Sequence, residues 1–266
     1  MTGGVGYPPA FAAERSLTLA AFLDPHLLAV LAIVLVGAWL QGSVGVGLGL
    51  FAAPLLAILD PAFVPGPLLF GAMLLGSMMA VRERHAIVGP TIGWALIGRA
   101  PGTLLGAALV SLAAAAWLDL TLGSLILICV ALSASRWDLR PTRRHLIGAG
   151  LLSGITGTAA AVGGPPMALV LQREAGPTVR ATLSLYFLIA TSLSLLTLTA
   201  FGELDRAGLT RALQLSPAVL AGFLVSRFSH GWIDRGRLKP AILVISGTAA
   251  VWVLVRGLRE LVTLSG

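Results

Sequence analysis

Charge is what this sequence has least of. Asp, Glu, Lys and Arg make up 11% of its 266 residues and apolar types 57%, where a soluble domain carries about 25% charged residues. A water-soluble fold of this length could not cover that much apolar surface, so the soluble classes are excluded. Polar–apolar alternation is also missing. The apolar runs are long and continuous, which excludes a transmembrane β-barrel. Acids are the scarcer sign: net charge is +7, and Asp60 and Asp119 sit at the ends of apolar runs rather than within them. The sequence thus shows no intramembrane carboxylate relay of the kind proton-coupled carriers use. The single cysteine, Cys129, lies inside an apolar run; it excludes an intrachain disulfide and reads as a small core residue. His26, His85, His145 and His230 fall near run ends. No Cys, His or carboxylate cluster in the runs could serve a transition-metal permease, and no metal or other cofactor is expected. Basic residues occur in short clusters between apolar runs, as the positive-inside rule places them, and not as a nucleic-acid patch. Residues 1–24 lack a basic n-region and read as a tail rather than a cleaved signal peptide.

What is present is an all-α polytopic membrane protein. Ten apolar segments are expected: Leu27–Gln41, Leu50–Leu59, Leu68–Val81, Ile87–Ala113, Leu118–Ala134, Leu146–Ile155, Met167–Leu171, Ala181–Phe201, Ala212–Phe228 and Pro240–Val255. A motif is written twice among them. Leu40, Gly42, Gly45, Pro54 and Pro65 recur as Leu152, Gly154, Gly157, Pro166 and Pro177, at a constant spacing of 112. Pro101, Leu104 and Gly106 recur as Pro217, Leu220 and Gly222 at 116. The chain divides into a tail (1–24), a first membrane repeat (25–135), a basic cytoplasmic linker (136–145), a second repeat (146–257) and a C-terminal tail (258–266). Basic loops at Arg82–His85, Arg136–His145 and Asp234–Lys239 are assigned to the cytoplasm, and the acid-bearing stretches Asp60–Pro67 and Leu112–Asp119 to the outside. Equivalent loops then fall on opposite faces. The expectation is two inverted repeats of about five segments, each with a glycine-broken re-entrant helical hairpin whose tip lies near the midplane, and both termini outside. Broken helices at matching positions of two halves point to a transporter's binding site. In lipid such breaks survive only where protein or a water-filled cavity receives the freed backbone groups.

The candidate ligands of a small anion follow from the breaks. The tips carry Gly45, Gly47 and Gly49 in one copy and Gly157, Gly163 and Gly164 in the other, with Gln41, Ser43, Thr156 and Thr158 beside them. A helix beginning at such a tip offers unpaired N–H groups and a partial positive charge, which suit an anion. Close packing of helices through small residues is the competing reading. Arg99 stands within Ile87–Ala113. Either it is an intramembrane charge with a function, or the span starts near Gly102 and Arg99 marks the interface. Arg180 opens the segment after the second tip, as an anion contact or a plain anchor. Two other classes compete: an intramembrane serine hydrolase using Ser153 and His230, which lacks the Gly-x-Ser-Gly order because Leu151 holds the first position, and a cation permease. The chain is not expected to be an enzyme. Its expected partners are the lipid bilayer and a small anionic substrate, with no nucleic acid; a homodimer is compatible with this reading.

The residues from Gln41 to Gly47, the run Ala53-Pro54-Leu55-Leu56, Gly157 with Gly163-Gly164-Pro165-Pro166, and Arg180-Ala181-Thr182-Leu183 resemble the sulfite exporter TauE/SafE family of membrane permeases. The resemblance runs from about Leu27 to Val255. It implies an inner-membrane permease for small anions, with sulfite, sulfonates and other organosulfur anions as the expected substrates and carboxylates in some branches. The second motif departs from the family's glycine triplet, having Thr158-Ala159-Ala160-Ala161 before Gly163.

Overall fold

The computed structural model describes residues 24–113, 115–135, 137–233 and 238–265. Among them are ten α-helices and no strand. They are α1 (Pro25–Val44), α2 (Leu48–Leu59), α3 (Gly66–Glu83), α4 (Gly89–Leu112), α5 (Ala115–Ala134), α6 (Arg143–Ala160), α7 (Gly164–Leu171), α8 (Gly176–Ala200), α9 (Arg206–Ile233) and α10 (Leu238–Ser265). Six of these, α1, α4, α5, α8, α9 and α10, are long and apolar enough to cross a membrane. Their outward faces carry apolar side chains such as Leu105, Leu196, Leu213 and Val244, as a lipid-facing surface requires.

Local chemistry sets the starts and stops. Asp24 caps α1, its carboxylate accepting the His26 N–H at 3.2 Å, and Pro25 fills the first helical position, where a missing N–H costs nothing. Gly45, at φ +96°, ends α1 in the left-handed conformation. Pro54, Pro101 and Pro217 lie inside helices that run on through them.

Several boundaries depart from expectation; α8 begins at Gly176 rather than Ala181 and takes Arg180 into its second turn. Helix α6 does not stop near Ile155 but continues to Ala160, because Thr158, Ala159 and Ala160 stand where further glycine would have broken it. It turns at Ala161, a non-glycine residue at φ +56°. Helix α9 begins at Arg206 and takes Arg211 into its first turns. Helix α10 carries on to Ser265, through the stretch expected as a tail. The expected basic loop Asp234–Lys239 falls largely outside the described residues.

Helix α1 folds back on α2, and α6 on α7. At the open end of the first pair, His26 Nε2 is 3.4 Å from the Leu59 carbonyl oxygen and 4.0 Å from Asp60. At the open end of the second, Gln172 Nε2 donates to the Trp137 carbonyl at 2.5 Å and Arg173 pairs with Asp138. These two ends lie at opposite ends of α5. Asp119, in its first turns, holds Arg256, which also donates to the Ala57 carbonyl of α2 at 3.0 Å; its last turn leads into the segment that holds Gln172 and Arg173.

The most extensive helix pairs are α4 with α6, α1 with α9, α5 with α10 and α3 with α8. The first is a backbone-on-backbone contact. A Cβ on Gly98 would lie 1.9 Å from the Ile147 carbonyl oxygen, one on Gly102 2.2 Å from that of Leu151, and one on Gly150 2.0 Å from that of Ala95. Membrane helices use such small residues to approach closely. Gly42 and Gly154, equivalent in the duplicated motif, both serve packing of this kind: Gly42 against Ser226 of α9, Gly154 against Gly102 of α4.

Candidate anion site between the glycine tips

The two tips meet. A Cβ on Gly49 would strike the Ala161 carbonyl oxygen at 1.9 Å, and one on Gly164 would strike Val46 Cγ1 at 2.4 Å. Between them is a cavity of about 30 Å³ bordered by Gly47, Gly49, Gly157, Gly163, Gly164 and Arg99, with Gln41, Phe187 and Thr191 also in its wall. It has room for about one water molecule.

Arg99 dominates this cavity. Helix α4 is continuous from Gly89 to Leu112 and Arg99 is 1% exposed, so it is a charge within the span and not an interface marker. Its Nη1 donates to the Ser153 carbonyl at 2.5 Å and to Ser153 Oγ at 3.0 Å. Its Nη2 donates to the Ala190 carbonyl at 3.2 Å and to Ser194 Oγ at 2.7 Å. Every one of these acceptors is neutral. Its Nε has no partner, and among the described residues no carboxylate pairs with it. A buried guanidinium with neutral acceptors and an unused N–H is short of one negative charge.

Supporting hydrogen bonds fix this guanidinium. Tyr186 donates its hydroxyl to Ser153 Oγ at 3.0 Å, and Ser153 donates its own to the Gly163 carbonyl at 2.6 Å. Thr158 and Ser194 share a hydrogen bond of 2.8 Å. Arg99 is thereby tied through Ser153 to the second tip. The Ser153 hydroxyl is fully engaged by these contacts, which leaves it poorly placed as a nucleophile; the side chain of His230 lies outside the described residues.

The remaining candidates divide. Gln41 borders the cavity and its Oε1 accepts the Leu48 N–H at 3.1 Å, capping α2. Gly49 and Leu50 follow in the same turn, where N–H groups have no intrahelical acceptor. Ser43 donates instead to the Trp39 carbonyl and Thr156 to that of Leu152, each within its own helix. Thr158 acts only through Ser194. Gly45 is outside the cavity wall, against Arg180: a Cβ there would sit 3.1 Å from Arg180 Cγ. Arg180 is also outside the wall and pairs with Glu83 at 3.4 Å.

Sequence reasoning missed Phe187, Thr191 and Ser194. They lie at helical spacing along α8, and the hydroxyl-bearing stripe in an otherwise apolar helix was the available signal.

Larger hollows flank the cavity. One of about 350 Å³ shares Val46, Gly47, Leu50 and Pro165 with it and reaches Ser135 and Lys239. Another, of about 700 Å³, lies at the opposite end of α5 and reaches Ala159 beside the second tip. Among the described residues, no group of three or more His, Cys, Asp or Glu side chains could hold a metal ion.

Against known proteins, the family model described as "Sulfite exporter TauE/SafE" matches residues 29–253. No curated protein and no solved structure gives a significant match.

Proposed function

The chain belongs to the sulfite exporter TauE/SafE family, and on that premise we propose that it is an inner-membrane permease for small sulfur oxyanions or sulfonates bound between the glycine tips. One observation carries this reading: a buried Arg99 with no acidic partner among the described residues and an unpartnered Nε borders the cavity that the two tips enclose. A sulfonate group, or hydrogensulfite, supplies the missing negative charge. Its oxygens take Arg99 on the side of the second tip and the N–H groups of Gly49 and Leu50 on the side of the first, replacing part of its hydration shell. Pro165 and Pro166 leave α7 with fewer donors, so the second tip contributes mainly through the arginine it holds.

The permease works by alternating access in two inverted repeats. The packing pairs support this. Shifting by one repeat exchanges α1 with α6 and α4 with α9, and so maps the α1–α9 pair onto α4–α6, while α3–α8 and α5–α10 map onto themselves. Each hairpin enters from its own face, and each flanking hollow serves one face. The cavity must widen to admit a sulfonate, and movement of Val46 away from Gly164 opens it toward the 350 Å³ hollow.

Flux of sulfite and sulfoacetate into proteoliposomes, against sulfate and chloride at equal ionic strength, tests the reading. Wild type should transport the first two selectively, Arg99→Lys should retain partial flux, and Arg99→Gln should lose it. Wild-type flux in Arg99→Gln would overturn the assignment. Binding is checked by thermal unfolding: a ligand at 100 times its Kd stabilises by about 2.7 kcal/mol.

A further inference from the structure

A second cluster of basic side chains lies away from the tips. Between α3 and α9 is a groove of about 480 Å³ bordered by Ser77, Met78, Val81, Arg82, Phe223 and Arg227. It opens at the end of α3 whose following loop is basic. Val81 is 73% exposed and Phe228, next to Arg227, is 91% exposed. In a membrane protein such apolar exposure faces acyl chains, so the groove straddles the boundary between lipid and water.

Its charge is unbalanced. Arg82 and Arg227 both border the groove, near enough to repel each other, and Arg180 adds to that repulsion. Among the described residues Glu83 is the one carboxylate paired there, 3.3 Å from Arg82 and 3.4 Å from Arg180. Arg227 is exposed and makes no ion pair among the described residues. A solitary interface arginine relieves repulsion by swinging into water. Arg82 cannot: its Nη2 donates to the Gly42 carbonyl at 2.7 Å, its Nη1 to Ser226 Oγ at 3.2 Å, and its guanidinium lies 4.9 Å from the Phe223 ring centroid. A fixed guanidinium and a free one thus converge on a groove with apolar walls.

We propose that this groove binds the headgroup of an anionic phospholipid, its phosphate between Arg82 and Arg227 and its acyl chain along Met78, Val81 and Phe223. Basic pockets between membrane helices on the cytoplasmic side take such headgroups. The site also reaches the transport machinery, because Arg82 pins the last turn of α1, just before Gly45. The bound lipid therefore stiffens the first tip from outside the cavity.

The test uses the full-length protein in detergent with phosphatidylglycerol as probe, read by native mass spectrometry and thermal unfolding. Wild type should retain phosphatidylglycerol in preference to phosphatidylcholine and unfold at higher temperature with it. Arg227→Gln should weaken retention about fivefold, the share of one basic residue near an anionic lipid, and Arg227→Lys should restore most of it. Because Arg227 is exposed, both variants should fold. Equal retention of the two lipids, or no loss in Arg227→Gln, would overturn the proposal. So would an equal stabilisation by inorganic phosphate alone, or a cross-link between copies through Phe228→Cys that excludes lipid. Sulfite flux is a separate readout: if the flux test fails while Arg227 still governs lipid retention, the lipid site stands without the transport reading.

Discussion

The two glycine tips carry one motif and do different work. Shifted by 112 residues, the start of α2 at Leu48 falls on Ala160, yet α7 begins one turn later, at Gly164. The first tip breaks at Gly45 in a left-handed glycine, and the second breaks at Ala161 after the helix has passed Gly157. Gly45 therefore serves a turn and touches Arg180, while its equivalent Gly157 lies inside a helix beneath the Arg99 guanidinium. The first tip presents the N-terminus of a twelve-residue helix, and the second presents an arginine borrowed from α4. A duplicated sequence thus yields two unlike tips: one built on a helix N-terminus, the other on a side chain from a different helix.

The largest effect should come where the tips touch. Gly49→Ala places a methyl group on the Ala161 carbonyl, a backbone atom that cannot swing aside. We expect a loss of about 3 kcal/mol in stability, read as a lowered unfolding temperature in detergent.

Next comes the equivalent pair. Gly157→Ala puts its Cβ 2.7 Å from Arg99 Nη1 and should cut anion flux about tenfold, the equivalent of 1.4 kcal/mol of lost binding. Gly45→Ala should cost about 1–2 kcal/mol through its left-handed backbone and leave flux per folded molecule near wild type. Equal flux defects in both would show that the tips contribute alike.

Tethers at the open ends come third. Asp119 with Arg256 and Asp138 with Arg173 each bond through both carboxylate oxygens, but Asp119 is 12% exposed and Asp138 58%. Asp119→Asn should cost about 1–2 kcal/mol as a charge-assisted bidentate pair is lost, and Asp138→Asn under about 0.5 kcal/mol as a surface pair. Chemical denaturation of each variant separates them. The smallest effect should be Ala161→Gly, which relieves the positive φ and gains about 0.5 kcal/mol after glycine's own entropy cost.

Much of this was legible in the sequence because it depends on composition and spacing. The ten helices, the two breaks and the isolated charge at Arg99 all follow from apolar runs and their interruptions. Which way a side chain faces does not. Ser43, Thr156 and Thr158 lie near the tips in sequence, but none of them lines the cavity, and each bonds within its helix or to Ser194. Arg180 was ambiguous for the same reason, and its partner Glu83 is 97 positions away. The hydroxyl stripe that holds Thr191 and Ser194 is legible along α8, but that it meets the tips, with Phe187 beside it, follows only from the packing of α8. The repeat predicts a break at Gly157, whereas Thr158, Ala159 and Ala160 carry α6 one turn further.

The bonds of Arg99 also bear on how the molecule is made. The helix that carries it, α4, belongs to the first half, while its acceptors Ser153, Ala190 and Ser194 all belong to the second. During synthesis α4 reaches the bilayer before α6 and α8 exist, carrying a guanidinium with nothing to receive it. Such a charge favours staying near water or the insertion machinery over entering lipid. The first half is thus an unfinished membrane protein by itself, and the step that seats Arg99 is the arrival of the second.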